Sequence, residues 1–295
     1  MEKFEVHKQI LSNNEVMAYR KVGSGKEILL LIHGNQSSSI FYEDLMDTFK
    51  DKYTIYAIDL IGFGDSSYNR EIQSIADFSV DVYLFMEALE IKSATVLGWS
   101  TGGGVAMELA ALHPDKVKKL ILMDSVGLKG YFIYKYDENF QPILSQRVYK
   151  KEDIAQDPVS VLPILKAFKE RDFDFIKNVW NSIIFNLNQP DEEKYDILVN
   201  AIMKQRNLVD VVTSLAQFNI THENNGVVDG SGHIDLIQCP VYIIHGKEDL
   251  VVNVELAKEA ARYFGDRGTL YILENAGHAS FMDVPDEFEK ILRSI

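Results

Sequence analysis

The sequence predicts an α/β fold, with a mostly parallel sheet covered by helices on both faces and a helical insertion interrupting it once. Two observations support this. Short, almost wholly apolar runs alternate with stretches whose apolar residues recur every three or four positions, as expected of strands buried on both faces between amphipathic helices. The alternation stops between about residues 128 and 233, where aromatic residues crowd, helical patterns dominate and no clear strand is visible, and then it resumes. The expected organisation is a core in two parts, 1–127 and 234–295, around a cap-like insertion at 128–233. A chain of 295 residues is long enough to bury such a core.

The elements follow in order. EILLLIHG (27–34) reads as a buried strand ending in a turn, and YTIYAIDLIGFGDS (53–66) as a second with a glycine-rich exit. FYEDLMDTF, between them, has helical spacing. In 75–89, Ile75, Phe78, Val82, Phe85 and Leu89 lie three or four apart, which gives a helix with its apolar side on the core. A strand at 94–98, a helix at 101–112 and a strand at 117–125 come next. After the insertion the pattern gives a strand in CPVYIIHG (239–246), a helix at 253–264, a strand in TLYILENAGH (269–278) and a closing helix from about Pro285.

Composition narrows the function classes. With 30 basic and 44 acidic residues the net charge is −14, which repels phosphate backbones and anionic lipid, so neither nucleic acid nor a membrane surface is an expected partner. The single cysteine, Cys239, cannot form an internal disulfide. It lies beside Pro240 with no helix start or basic neighbour to lower its pKa, and so reads as a small hydrophobe. The opening MEKFEVHKQI lacks a leader's apolar segment, and no apolar run approaches the roughly 20 residues that cross a bilayer, so the cytoplasm is the expected location. No H-x-x-x-H, H-E-x-x-H, G-x-x-x-x-G-K-[ST] or strand-linked G-x-G-x-x-G occurs, and no metal or organic cofactor is expected.

TVLGWSTGGGVAMELA (95–110) places one hydroxyl among glycines where a buried strand gives way to a helix. Gly98-Trp99-Ser100-Thr101-Gly102 fits G-x-S-x-G, a sharp turn that exposes the serine at the strand end beside the unpaired N–H groups and positive dipole of a helix start. A serine hydroxyl needs a base to take its proton, and the base needs an acid to fix its tautomer. Of the seven histidines, His278 follows the last apolar strand in ENAGHASFMDVP, where a loop can reach the same sheet edge. His33 and His245 end strands in HG pairs and read as turn-shaping, while His113 closes a helix. For the acid, Asp249 in HGKEDLVV is preferred because its loop directly precedes the one carrying His278; Asp124, ending the strand after the serine helix, is the rival. Glu248 and Asp283 read as solvated. A tetrahedral oxyanion would be met by the N–H of Thr101 and by an N–H of the loop after LLLIHG, with Asn35 first and Gln36 next.

LLLIHGN, IDLIGFGDS, GWSTGGG, VKKLILMDS, CPVYIIHGKEDLVV and NAGHASFMDVP together resemble the landmarks of the α/β-hydrolase fold superfamily, in its order and spacing and over nearly the whole chain. The resemblance implies a largely parallel eight-stranded sheet with a cap after the sixth strand. It implies Ser100 as nucleophile, His278 as base, Asp249 as orienting acid, and Asn35 and Thr101 as oxyanion donors. Haloalkane dehalogenases and epoxide hydrolases carry Asp at the nucleophile position, where this chain has Ser100. A serine suits acyl transfer, so the expected activity is that of a serine hydrolase, a carboxylesterase acting on a small or medium apolar ester through an acyl-enzyme. Lactonases, intracellular polyhydroxyalkanoate depolymerases and C–C hydrolases of diketone-like acids stay open, as does a hydrolase-like receptor or regulator. The expected partner is a small-molecule ester, and the sequence is compatible with a homo-oligomer. Tyr131, Phe132, Tyr134, Phe173 and Trp180 supply candidates for an apolar pocket, most of them expected in the insertion's own core.

Overall fold

The computed structural model describes residues 3–295. The chain opens with two strands that the sequence reading does not resolve, β1 (Val6–Ile10) and β2 (Val16–Val22), joined as an antiparallel hairpin. There follow β3 (Glu27–Ile32), α1 (Glu43–Phe49), β4 (Tyr53–Ile58), α2 (Ile75–Ala88), β5 (Ala94–Trp99), α3 (Thr101–Leu112) and β6 (Val117–Met123). After β6 the chain leaves the sheet for β7 (Tyr134–Tyr136), β8 (Pro142–Arg147), α4 (Lys151–Ile154), α5 (Leu162–Glu170), α6 (Phe173–Ile183), α7 (Glu192–Ile202) and α8 (Leu208–Gln217). It returns with β9 (Val241–Gly246), α9 (Val254–Phe264), β10 (Gly268–Leu273), α10 (Ser280–Asp283) and α11 (Pro285–Ser294).

The main sheet has eight strands in the order β1-β2-β4-β3-β5-β6-β9-β10, and every pair is parallel except the two made by β2. The two-residue period of a strand divides its apolar residues between two cores. Leu30, Ile32, Val96, Leu120 and Ile243 face α2, α3 and α9, while Leu29, Leu31, Leu97, Ile121 and Ile244 face α1, α11 and much of the span between β6 and β9. That span contributes to both cores, through Val211 and Leu215 on one side and Trp180 and Leu198 on the other, so it packs as part of the same body.

Boundaries move for local reasons. The strand at 117–125 ends at Met123 because Asp124 takes φ 43°, and the strand at 269–278 ends at Leu273, shortly before Asn275 at φ 56°. A backbone in that left-handed region cannot continue an extended ladder. Helix α2 starts where a capping box forms, with Ser74 and Asp77 each accepting from the other's backbone N–H. The expectation of no strand within 128–233 fails at β7 and β8, which pair with each other apart from the main sheet. No residue of either is fully buried, so they lack the apolar runs that reveal the sheet strands. Among the described residues no helix is long and apolar enough to cross a membrane.

Candidate active site

The site is assembled at the carboxyl ends of β5, β6, β9 and β10. Strand β5 is buried along its length and leads directly into Ser100, whose φ of 54° and ψ of −120° lie in sparsely allowed space for a residue with a Cβ. Such a conformation costs about 1–3 kcal/mol and persists only when its surroundings over-determine it. Here the Ser100 N–H donates to Met123 O at 3.0 Å, and the Ser100 carbonyl accepts from Gly103 and Val126 at 2.9 and 3.1 Å. Close approach explains two of the glycines. A Cβ at position 98 would lie 2.2 Å from Gly102 O, and one at position 34 would lie 2.9 Å from Ser100 Cβ.

The structure brings Ser100, His278 and Asp249 together. The Ser100 hydroxyl donates to His278 Nε2 at 2.9 Å, and His278 Nδ1–H donates to Asp249 Oδ2 at 2.8 Å. Asp249 Oδ1 accepts the N–H groups of Val251 and Val252 at 2.8 and 2.9 Å, which fixes the carboxylate plane. His245, read from sequence as a turn residue, also touches this group. Its Nε2–H donates to Val252 O at 2.8 Å and stands 3.2 Å from Asp249 Oδ2. Burial alone would raise the pKa of Asp249, but the charge of His278 and the hydrogen bonds from both imidazoles outweigh it and hold the carboxyl below its ordinary range.

Asp124, the rival acid, makes no hydrogen bond to His278 and serves the neighbouring backbone. Its Oδ1 accepts Gly246 N–H at 2.8 Å, and its Oδ2 accepts Ser280 N–H at 3.1 Å and the Ser280 hydroxyl at 2.7 Å. It thus ties the loop bearing Asp249 to the loop bearing His278. Complete burial pushes its carboxyl up to about 6, with the nearby charge of Asp249 adding to the shift. Asp283 is not solvated as the sequence suggests. It is buried and accepts Gly277 N–H at 2.8 Å, immediately before His278, because α10 folds back under that loop. Glu248 is half-buried and accepts Ala276 N–H at 3.2 Å.

His33 is a turn-shaping residue, as read. Its Nδ1–H donates to Gly34 O at 2.7 Å and its Nε2 accepts Leu60 N–H at 3.0 Å, which joins the loops after β3 and β4. Burial lowers its pKa, in keeping with the neutral ring that this bonding requires. His113 stacks on Tyr83 with centroids 3.7 Å apart. Trp99 escaped the sequence reading: its Nε1–H donates to His278 O at 2.7 Å, so the residue before the serine also pins the loop of the imidazole. The W of GWS was the only available signal.

Asn35 and Thr101 both line the cavity beside Ser100, and among the described residues neither backbone N–H has a hydrogen-bond acceptor. The Gln36 N–H is committed to Gln205 Oε1 at 3.1 Å. The cavity, about 180 Å³, is walled mainly by Trp99, Tyr131, Trp180, Ile184, Leu215 and Val252, and among the described residues its only ionisable side chains are Tyr131 and His278. Of the aromatic candidates, Tyr131 and Trp180 reach it, whereas Phe132 lies against the Arg147 guanidinium at 3.7 Å. Asp124, His245 and Asp249 offer donor atoms within 4.8 Å of one another, a spacing compatible with a metal ion, but each of these groups already hydrogen-bonds to backbone or imidazole.

The sequence profile of the alpha/beta hydrolase fold family matches residues 27–285. The chain belongs to this family. Among curated relatives, this α/β hydrolase is 35% identical over 132 residues to the dihydrolipoyllysine-residue acetyltransferase component of the acetoin cleaving system from Cupriavidus necator, a match covering 45% of this chain. The match spans only 35% of that longer protein. A pimeloyl-(acyl-carrier protein) methyl ester esterase from Neisseria meningitidis is 26% identical over 266 residues, covering 89% of this chain and 91% of the relative. An esterase from Exiguobacterium antarcticum superposes with a TM-score of 0.75 at 18% identity, over 98% of both chains, and so shares the fold.

Proposed function

We propose that this α/β hydrolase is a serine carboxylesterase that cleaves an uncharged ester with a small or medium apolar group through an acyl-enzyme. The observation that supports the reading most is the continuous relay from the Ser100 hydroxyl through His278 to Asp249, with links of 2.9 and 2.8 Å. In this mechanism His278 Nε2 takes the hydroxyl proton as Ser100 Oγ bonds to the ester carbonyl carbon. The carbonyl oxygen becomes an oxyanion facing the N–H groups of Asn35 and Thr101, whose unpaired donors suit a charge that develops only in the transition state. Collapse expels the alcohol, which takes the proton from His278. Water then attacks the acyl-Ser100 ester with His278 again as base, releasing the acid and restoring the hydroxyl. Asp249 stays ionised throughout and holds the ring in the required tautomer.

The pimeloyl-(acyl-carrier protein) methyl ester esterase, matched over most of both chains, favours ester cleavage. Cleavage of a diketone-like acid is less well supported, because among the described residues the cavity walls contain no Lys or Arg to receive a substrate carboxylate. The test is turnover of p-nitrophenyl acetate and butyrate by the protein and by Ser100→Ala, together with labelling by a fluorophosphonate. Turnover and one label per chain, both lost in Ser100→Ala, are the expected result. Labelling that persists at full yield in the variant overturns the assignment of the nucleophile, and ligand binding without turnover by the unsubstituted protein favours a receptor.

A further inference from the structure

The loop after β3 is held from outside the sheet. Gln205, only 5% exposed, lies in the connection between α7 and α8. Its Oε1 accepts Gln36 N–H at 3.1 Å, and its Nε2–H groups donate to Asn35 Oδ1 at 2.8 Å and Asn207 Oδ1 at 3.1 Å. One amide side chain therefore grips Asn35 both at its own side chain and at the peptide that follows it. Gln36 sits at φ 53°, a conformation that needs such outside support. The connection is itself anchored to the loop after β4. Arg206 N–H donates to Gly62 O at 2.9 Å, Asn207 Nδ2–H donates to Ile61 O at 2.7 Å, and the Arg206 guanidinium bonds Gly64 O and Ser66 O.

We propose that Gln205 is a positioning residue for the reaction, setting the backbone angles of Asn35 so that its N–H points at the oxyanion. The proposal rests on the serine-hydrolase reading above. Gln205 occupies the Gln36 N–H, so of the two candidate donors in this loop it is the Asn35 N–H that stays without an acceptor among the described residues, beside that of Thr101. A donor stabilises developing charge only if it is aimed before the charge appears, and small displacements forfeit much of the effect. The side-chain chemistry at 205 is demanding. Asn is one methylene shorter, and ionised Glu accepts from Gln36 N–H but cannot donate to Asn35 Oδ1. The insertion thereby completes the site as well as walling it.

The experiment compares Gln205→Ala, Gln205→Glu and Arg206→Ala, the last loosening the same connection without touching residues 35 and 36. For a p-nitrophenyl ester, Gln205→Ala is expected to lower kcat about 10- to 100-fold with KM within about threefold, since removing an oxyanion donor outright costs about 100- to 1000-fold. Affinity for a trifluoromethyl ketone, which forms a hemiketal oxyanion, should fall by the same factor while affinity for the product acid is unchanged. Gln205→Glu should fall between the two, and Arg206→Ala should keep kcat within about twofold. Hydrogen exchange at the Gln36 amide reads the grip on this loop without turnover, and should quicken in Gln205→Ala alone. Unchanged kcat or unchanged exchange in a folded Gln205→Ala overturns the proposal, as do equal losses in Gln205→Ala and Arg206→Ala. Failure of the underlying reading looks different: the unsubstituted protein would take no fluorophosphonate label at Ser100, and the exchange measurement would still judge the role of Gln205.

Discussion

His245 Nε2 stands 3.2 Å from the same Asp249 oxygen that accepts a hydrogen bond from His278 Nδ1–H at 2.8 Å, so one carboxylate oxygen lies between two imidazoles. Burial by itself lowers the pKa of His245, but its bond to Asp249 and the charges of Asp124 and Asp249 outweigh that and leave it raised. A raised histidine contributes stability that is fully present below its unfolded value of about 6.5 and fades as pH rises through the folded value. His245→Gln is therefore expected to trail the parent most at pH 5.5 and least near pH 9, as measured by urea unfolding. A gap that widens with rising pH would contradict this arrangement.

Two carboxylates at the sheet edge should separate by function. On the proposed assignment Asp249→Asn disrupts the tautomer of His278 and is expected to lower kcat by roughly 10⁴, the loss typical of serine triads. Asp124→Asn should cost much less activity, because its bonds go to Gly246 and Ser280. Steady-state kinetics on both variants decides the matter, and the larger loss in Asp124→Asn would reverse the two roles.

Asp124 also has a pH signature. Its carboxyl titrates at about 6 rather than near the usual 3.8, so the proton is held more tightly in the folded chain. That contribution is fully present below about 3.9 and is lost as pH rises through about 6. Asp124→Asn lacks it. Relative to the parent, the variant should gain stability between pH 4 and pH 7, as read from denaturant midpoints at the two pH values.

The backbone strain at Ser100 predicts a trade between stability and chemistry. Ser100→Gly removes the Cβ that makes φ 54° unfavourable, whereas Ser100→Ala keeps it. Both should be inactive, and the glycine variant should be the more stable by about 1 kcal/mol, less the extra chain entropy of glycine. Calorimetry on the pair reads the difference directly.

Trp180 sets one wall of the cavity and packs on Phe41 and Phe185 with centroids 5.3 and 5.2 Å away. Trp180→Leu should enlarge the apolar space and shift the best p-nitrophenyl ester toward longer acyl chains. The expected stability loss is about 1–3 kcal/mol from incomplete repacking. An unchanged acyl-length profile would place the acyl group elsewhere.

Much of this architecture was legible from sequence because buried parallel strands advertise themselves as apolar runs. Leu29 to Ile32 and Val96 to Trp99 are buried throughout, and the glycines around Ser100 mark a turn with one steric solution. Asp249 and His278 were readable because each follows such a strand. The strands β1, β7 and β8 were not, since none of their residues is fully buried and no periodicity separates them from loops. The supporting residues were hidden for another reason. Gln205 acts through partners 169 and 170 positions away, and Asp124 through Gly246 and Ser280 at separations of 122 and 156. A polar side chain in a polar stretch gives no local sign of a distant partner.

The proposed nucleophile and its base are separated by 178 residues of chain. During translation Ser100 leaves the ribosome long before His278 is even polymerised, so an emerging or prematurely terminated polypeptide carries an ordinary, inert alcohol. On the proposed assignment, reactivity toward an organophosphorus probe requires a chain that extends past His278, and in a cell-free synthesis mixture such a probe is expected to ignore every fragment that ends before it.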